Sequence, residues 1–136
     1  MRDYLRSHGI NPTATRVRVL NYLDGNTDHP TAEAVFNGLK KRKEKISRAT
    51  VYNTLHLFYE KGIVRAIKGT DDTIHFDPDM TPHAHFQCSS CHKIWDLPID
   101  EFPISFKSCP ELNNSKISSI SVLIKGVCPD CLEKTL

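Results

Sequence analysis

The chain is short, its first 87 residues contain no cysteine, and it has no long apolar run. Its 136 residues suffice for one ordinary domain or two small ones, which excludes a large enzyme. Nothing approaches the roughly eighteen consecutive apolar residues of a membrane helix. The longest clean run near the end is Val122-Leu123-Ile124. The opening Met1-Arg2-Asp3-Tyr4-Leu5-Arg6 lacks the apolar stretch of a signal peptide, so a cytoplasmic protein without a membrane partner is expected. Wholesale disorder is excluded too, because 39% hydrophobic against 25% charged residues can pack a core.

What is present is unevenly distributed. Residues 1–69 carry 13 Lys/Arg against 6 Asp/Glu, a balance of +7, whereas residues 70–136 carry 5 against 10, a balance of −5. The sum is the modest +2 of the whole chain. Such asymmetry suggests two modules, the first attracted to a polyanion. All five cysteines fall in the acidic half. In a reducing compartment, paired cysteines favour metal binding or redox chemistry over structural disulfides.

The basic half has helical spacing. Val19, Leu20 and Leu23 share one side of a segment from Arg16 to Leu23, entered through Asn11-Pro12-Thr13. Ala32, Val35, Phe36 and Leu39 repeat the i, i+3, i+4, i+7 pattern over residues 32–42, with Thr31 as a cap and Glu33 in the first turn. A third helix begins at Ser47, buries Val51, Leu55 and Phe58, and stops at Gly62. A shorter one covers Arg2 to Ser7 and ends at Gly9. The period then changes, with β-like runs at 63–67 and 73–76 flanking the turn cluster Gly69-Thr70-Asp71-Asp72. Three helices followed by a hairpin is the winged form of helix-turn-helix, in which the helix before the hairpin enters the major groove of duplex DNA.

With Val51, Leu55 and Phe58 facing the core, about 100° per residue puts Ala49, Tyr52, Asn53 and His56 on the opposite face. No carboxylate lies on it before Glu60. Tyr and Asn can contact base edges or phosphates, and Ala can meet a thymine methyl. The plainer alternative is that Tyr52 covers a neighbouring helix. Arg16, Arg18, Arg48, Lys61 and Arg65 would supply phosphate contacts, and the run from Lys40 to Lys45 would act by long-range attraction.

Cys88-Ser89-Ser90-Cys91 and Cys128-Pro129-Asp130-Cys131 are two C-x-x-C knuckles 36 residues apart. Four thiolates complete a closed tetrahedral zinc shell. A thioredoxin-like redox pair is the competitor, but two such motifs without a βαβ pattern favour zinc. A module of some 50 residues also needs such a clamp, because it buries little core. Cys109 has no partner at knuckle spacing and is read as a free cysteine. Just upstream, His83 and His85 stand two apart on an expected strand and so share a face. Asp96, on the next β run, can lie alongside through antiparallel pairing. Two histidines plus carboxylates suit Fe(II), Mn(II), Co(II) or Zn(II) in a nitrogen/oxygen site.

Taken together, these residues resemble the ferric uptake regulator family of bacterial metal-dependent repressors. The resemblance rests on Thr13-Ala14-Thr15-Arg16, on the run from His29 to Glu33 and on the run from Ser47 to Leu55. His83-Ala84-His85 and both cysteine pairs follow in the family's order and spacing. It implies an α+β homodimer: a winged-helix DNA-binding domain over residues 1–76, a hinge over 77–82, and a small α/β dimerisation and metal-binding domain over 83–136. The peroxide-responsive branch looks most similar, since aspartates stand at 77 and 96 and Asn53 lies in the reading helix. That branch implies a regulatory Fe(II) or Mn(II) held by His29, Asp77, His83, His85 and Asp96, beside structural Zn(II) on Cys88, Cys91, Cys128 and Cys131. Ala84 removes an acid that a further metal site of iron regulators uses.

The expected mechanism follows from the resemblance. Metal holds both reading helices of the dimer on successive major grooves, ~34 Å apart. Peroxide at bound Fe(II) oxidises His29 or His83 and releases operator DNA. A repressor sensing iron or manganese availability is the alternative within the family, and a metal-dependent peroxidase or hydrolase is the rival class. No nucleophile or base stands out beyond the ligands, so no enzyme is expected. His75 and His92, close to ligands in sequence, are read as bystanders, and His8 and His56 match no metal site. A dimerisation helix is expected after Asp100, interrupted by Pro103 and Pro110.

Overall fold

The computed structural model describes residues 1–81, 83–98, 109–118 and 120–134. The chain divides into two compact units, Met1–Thr81 and Pro82–Leu136. The dimerisation helix expected after Asp100 falls on residues 99–108, outside the described ones. The next described element is a short 3-10 turn at Pro110–Leu112.

The first unit contains helices α1 (Arg2–Ser7), α2 (Ala14–Leu23), α3 (Ala32–Lys41) and α4 (Arg48–Glu60), then strands β1 (Arg65–Lys68) and β2 (Ile74–Asp77). Its helix starts are set by hydroxyl caps. Thr13 accepts from the Arg16 amide at 3.3 Å, Thr31 from Ala34 at 3.1 Å and Ser47 from Thr50 at 3.1 Å. Each such cap is worth about 1 kcal/mol. The Thr13 cap moves the start of α2 to Ala14, two residues before the expected Arg16. The stops are glycine-based. Gly9 and Gly62 both sit at φ +75°, where a side chain would clash. Each allows the paired backbone bonds that close a helix C-terminus: Gly62 N–H to Tyr59 O and Ile63 N–H to Phe58 O for α4, and the same pattern at Gly9 and Ile10 for α1.

The helices surround an apolar core built from Leu5, Ile10, Val19, Leu20, Leu23, Val35, Leu39, Val51, Leu55 and Phe58. Ile63 and Val64, expected in the first strand, instead drop into this core directly after the turn, so β1 begins at Arg65. The two strands form an antiparallel hairpin with Arg65 opposite Asp77 and Lys68 opposite Ile74. Asp77, expected to open the hinge, is the last residue of β2.

The second unit is a three-stranded sheet of order β4-β3-β5, formed by β3 (His83–Cys88), β4 (Ile94–Pro98) and β5 (Leu123–Gly126), with helix α5 (Pro129–Lys134) following. β3 pairs antiparallel with β4 and parallel with β5. Its buried cluster is sulfur-rich: Cys88, Cys128 and Cys131, flanked by Phe86 and Trp95. Those two rings stand 5.7 Å apart, within the range of favourable aromatic pairs.

Candidate metal centres and nucleic-acid face

The four knuckle cysteines converge because the parallel β3–β5 pairing puts Cys88 opposite Gly126, two residues before Cys128. Ser89 reinforces the junction, its amide and its hydroxyl both donating to the Gly126 carbonyl at 2.7 and 3.1 Å. All four sulfurs lie within 4.8 Å of one another, with Cys91 and Cys128 at 3.9 Å. Thiolates about 2.3 Å from a tetrahedral zinc stand roughly 3.8 Å apart, so the cluster fits one ion. The backbone prepares it. Amides of Cys91, Cys128 and Ser90 point at Cys88 Sγ from 3.5, 3.3 and 3.4 Å and hold its thiol down to about 5, against the ordinary 9. Cys131, beside the Cys128 thiol and shielded from water, is pushed up to about 12. Cys88 therefore gives up its proton more readily than Cys131, and a bound cation would favour the thiolate form of both. Cys109 is not part of this cluster.

A second donor set lies on β3 and β4. The register puts Asp96 directly opposite His85. His83 Nε2 and His85 Nε2 are 2.9 Å apart, and each lies 3.4 Å from Asp96 Oδ1. Both histidines are buried and Asp96 is the more exposed member. Ligand atoms about 2.1 Å from one ion stand roughly 3 Å apart at right angles, so these three atoms can share a cation. Two histidines and one carboxylate on one face is the donor combination of non-haem Fe(II) sites with open positions.

The remaining expected ligands, His29 and Asp77, meet within the first unit. His29 Nε2 stands 3.5 Å from Asp77 Oδ2 and both side chains are buried. His29 occupies the left-handed region at φ +52° in the loop before α3, a conformation that a non-glycine residue adopts only when its surroundings hold it. His75, read from the sequence as a bystander, is one of the holding groups. Its Nδ1 donates to the His29 carbonyl at 2.8 Å. One backbone bond completes the pin: Phe76 N–H donates to Pro30 O at 2.9 Å, the bond of the antiparallel bridge that sets Thr31 opposite His75.

The reading helix presents the face expected of it. Ala49, Tyr52, Asn53 and His56 are all exposed. Asn53 and His56 line a hollow together with Arg16, Thr13, Thr15 and Thr50. Arg16 itself donates to the Asn11 carbonyl at 2.9 Å. A correction concerns carboxylates. The sequence reading left this face without one before Glu60, but α3 brings Glu33 onto it. Arg48 donates to both Glu33 oxygens at 2.9 Å, the Tyr52 hydroxyl donates to Glu33 at 3.3 Å, and the Arg48 guanidinium lies over the Phe36 ring. The Arg48 bond holds the Glu33 carboxyl below its usual range. His56 pairs with Glu60 at 2.9 Å. Arg65, expected on phosphate, instead donates to the carbonyls of Asp79, Met80 and Thr81.

Fold and side chains together define a class: a winged-helix nucleic-acid-binding module in one chain with metal-ligand clusters. The ferric uptake regulator family model matches residues 7–125, and the chain belongs to that family. It is 32% identical over 130 residues to the peroxide-responsive repressor PerR of Staphylococcus aureus strain Mu50, covering 96% of this chain and 88% of that protein. It is also 32% identical over 132 residues to the peroxide operon regulator of Bacillus subtilis strain 168, covering 97% and 91%. The structure of a ferric uptake regulator from Francisella tularensis with iron superposes with a TM-score of 0.78 at 25% identity, covering 91% of this chain and 96% of that one. The protein is therefore a metal-sensing transcription regulator and not an enzyme. No helix among the described residues is long and apolar enough to cross a membrane.

Proposed function

We propose that this regulator is a cytoplasmic, homodimeric repressor that senses peroxide through oxidation of a histidine ligand. The observation that carries the proposal is the convergence of His83, His85 and Asp96 at 2.9–3.4 Å in a two-histidine, one-carboxylate set. His29 and Asp77, facing each other in the first unit, complete the proposed regulatory set. Structural zinc is assigned to Cys88, Cys91, Cys128 and Cys131. The first unit would bind operator DNA and the second would dimerise.

Bound Fe(II) would supply the electrons that cleave peroxide and so deliver an oxygen atom to a neighbouring imidazole. The chain's own part is to present the target. Burial keeps the rings of His29 and His83 from bulk water, and the facing Asp77 and Asp96 fix their orientation. An oxidised ring is a poorer ligand, so metal and DNA affinity fall together. The reading face would engage the major groove through Ala49, Tyr52, Asn53 and His56, with Arg16 and Arg48 at its margins.

The names of the two bacterial relatives favour this reading over a sensor of iron or manganese availability. The test measures duplex binding with Fe(II), Mn(II) or no metal, before and after stoichiometric peroxide, alongside peptide mass spectrometry. The Fe(II) protein is expected to gain ~16 Da, one oxygen, on a peptide containing His29 or His83 and to release DNA, whereas the Mn(II) protein does neither. Unmodified histidines together with surviving DNA binding in the Fe(II) protein would transfer the function to metal availability.

A further inference from the structure

We infer that His75 is a positioning residue for the regulatory ligand His29; the inference rests on the metal reading proposed above. It starts from strand alternation. His75 and Asp77 are two apart on β2 and both are buried, so the strand turns the pair to one inward face. Each takes hold of His29 at a different end. Asp77 Oδ2 faces the imidazole Nε2 at 3.5 Å, while His75 Nδ1 donates to the His29 backbone carbonyl at 2.8 Å. A carbonyl can only accept, so Nδ1 of the His75 ring carries a proton. Nε2 then faces the Thr73 hydroxyl at 3.1 Å and Asp71 Oδ1 at 3.4 Å. The ring is thereby held from its own hairpin and from the loop 46 residues away.

The need for such a grip lies in the backbone. His29 is left-handed at φ +52° and precedes Pro30, and both features restrict the chain. A peptide plane free to relax toward φ below zero would swing the Cα–Cβ bond and carry Nε2 away from Asp77. The bond from His75 fixes that plane from the carbonyl side. Neither residue is a capping type or a knuckle, so neither motif nor spacing marks the pair.

The experiment compares three variants of the full chain with zinc in place, using Mn(II) alone as probe and a competing chelator to obtain its dissociation constant. His75→Leu fills similar space without a donor and should weaken Mn(II) about tenfold or more, the usual effect of losing a group that orients a ligand. His75→Asn places an amide nitrogen where Nδ1 lies and should restore affinity to within about threefold of the unmodified protein. His29→Ala is the control for the metal reading. Zinc content and the helical circular dichroism spectrum should be unchanged in all three. If His75→Leu fails to fold, His75→Gln, whose amide nitrogen lies one bond too far out, takes its place with the same expected loss.

Unaltered Mn(II) affinity in His75→Leu, with loss in His29→Ala, would overturn the positioning role and leave the metal reading standing. Equal weakening in His75→Leu and His75→Asn would overturn it as well, since packing and not the donor would then matter. Retained affinity in His29→Ala would remove the metal reading itself, and the inference with it.

Discussion

The two units are held together by different means. The first buries a continuous apolar set from Leu5 to Val64, with four helices interlocked around it. In the second, the buried hydrophobic cluster is three cysteines with two aromatic rings at its edge. Burial of leucine- or phenylalanine-sized side chains contributes roughly 1.5–3 kcal/mol each, so the first unit accumulates stability residue by residue. Among its described residues the second has a much smaller buried apolar set, and the proposed zinc would concentrate its stability in one cross-link. A helical core tolerates loss of a member. A metal clamp does not.

Removing a zinc ligand should therefore have the largest effect and break the contrast most cleanly. Cys88→Ser or Cys128→Ser is expected to lose about one zinc per chain and to unfold the second unit, because a structural zinc site carries ~10–16 kcal/mol of apparent binding energy. The first unit should keep its helical signal. Elemental analysis with hydrogen exchange resolved by segment would show it, and zinc retained with native protection in residues 83–98 would refute the assignment.

Leu55→Ala is the converse. Leu55 is fully buried in α4, and its truncation should cost about 2–5 kcal/mol through lost burial and the cavity left behind. Denaturant titration should show a lower midpoint for the helical transition while zinc content is unchanged. A loss of zinc alongside would mean that the two units do not stand on separate supports.

The smallest expected effects concern the reading face. Glu33→Gln removes the carboxylate that holds Arg48 and Tyr52. A released Arg48 should take one phosphate more, steepening the salt dependence of DNA binding by about one in the log–log slope. Tyr52→Ala should instead lower discrimination between a selected duplex and random DNA by about 1–3 kcal/mol, with metal content intact. Identical slopes for Glu33→Gln and the unmodified protein would show that Arg48 is not restrained by its pair.

Much of the first unit was legible before any coordinates. The 3.6-residue period marked Val51, Leu55 and Phe58 as one face, and the caps Thr31 and Ser47 and the stop Gly62 bounded α3 and α4. The hairpin was foreseen as well, but its first strand was set two residues early. Ile63 and Val64 look like strand residues by type, and only the closing turn of α4 shows that they complete the helical core. In the second unit, the strand alternation of His83 and His85 and the pairing that brings Asp96 beside them followed from period two. The bond of His75 to the His29 carbonyl left no mark in the sequence, because the two residues stand 46 positions apart.

By itself, then, the sequence determined what is local: helix faces, caps, turn glycines, knuckle spacing and the strand faces that carry donors. These depend on fixed periods and on backbone conformations that a few neighbouring residues impose. Tertiary structure alone decided the cross-element contacts that no motif or period marks. Arg48 reaches Glu33 over 15 residues, Arg65 holds carbonyls 14 to 16 residues on, and His75 grips His29 over 46. A hydrophobic period states which face of an element turns inward, but it carries no record of which other element waits there. Polar partners at that distance are chosen by packing, and packing exists only once the chain has folded.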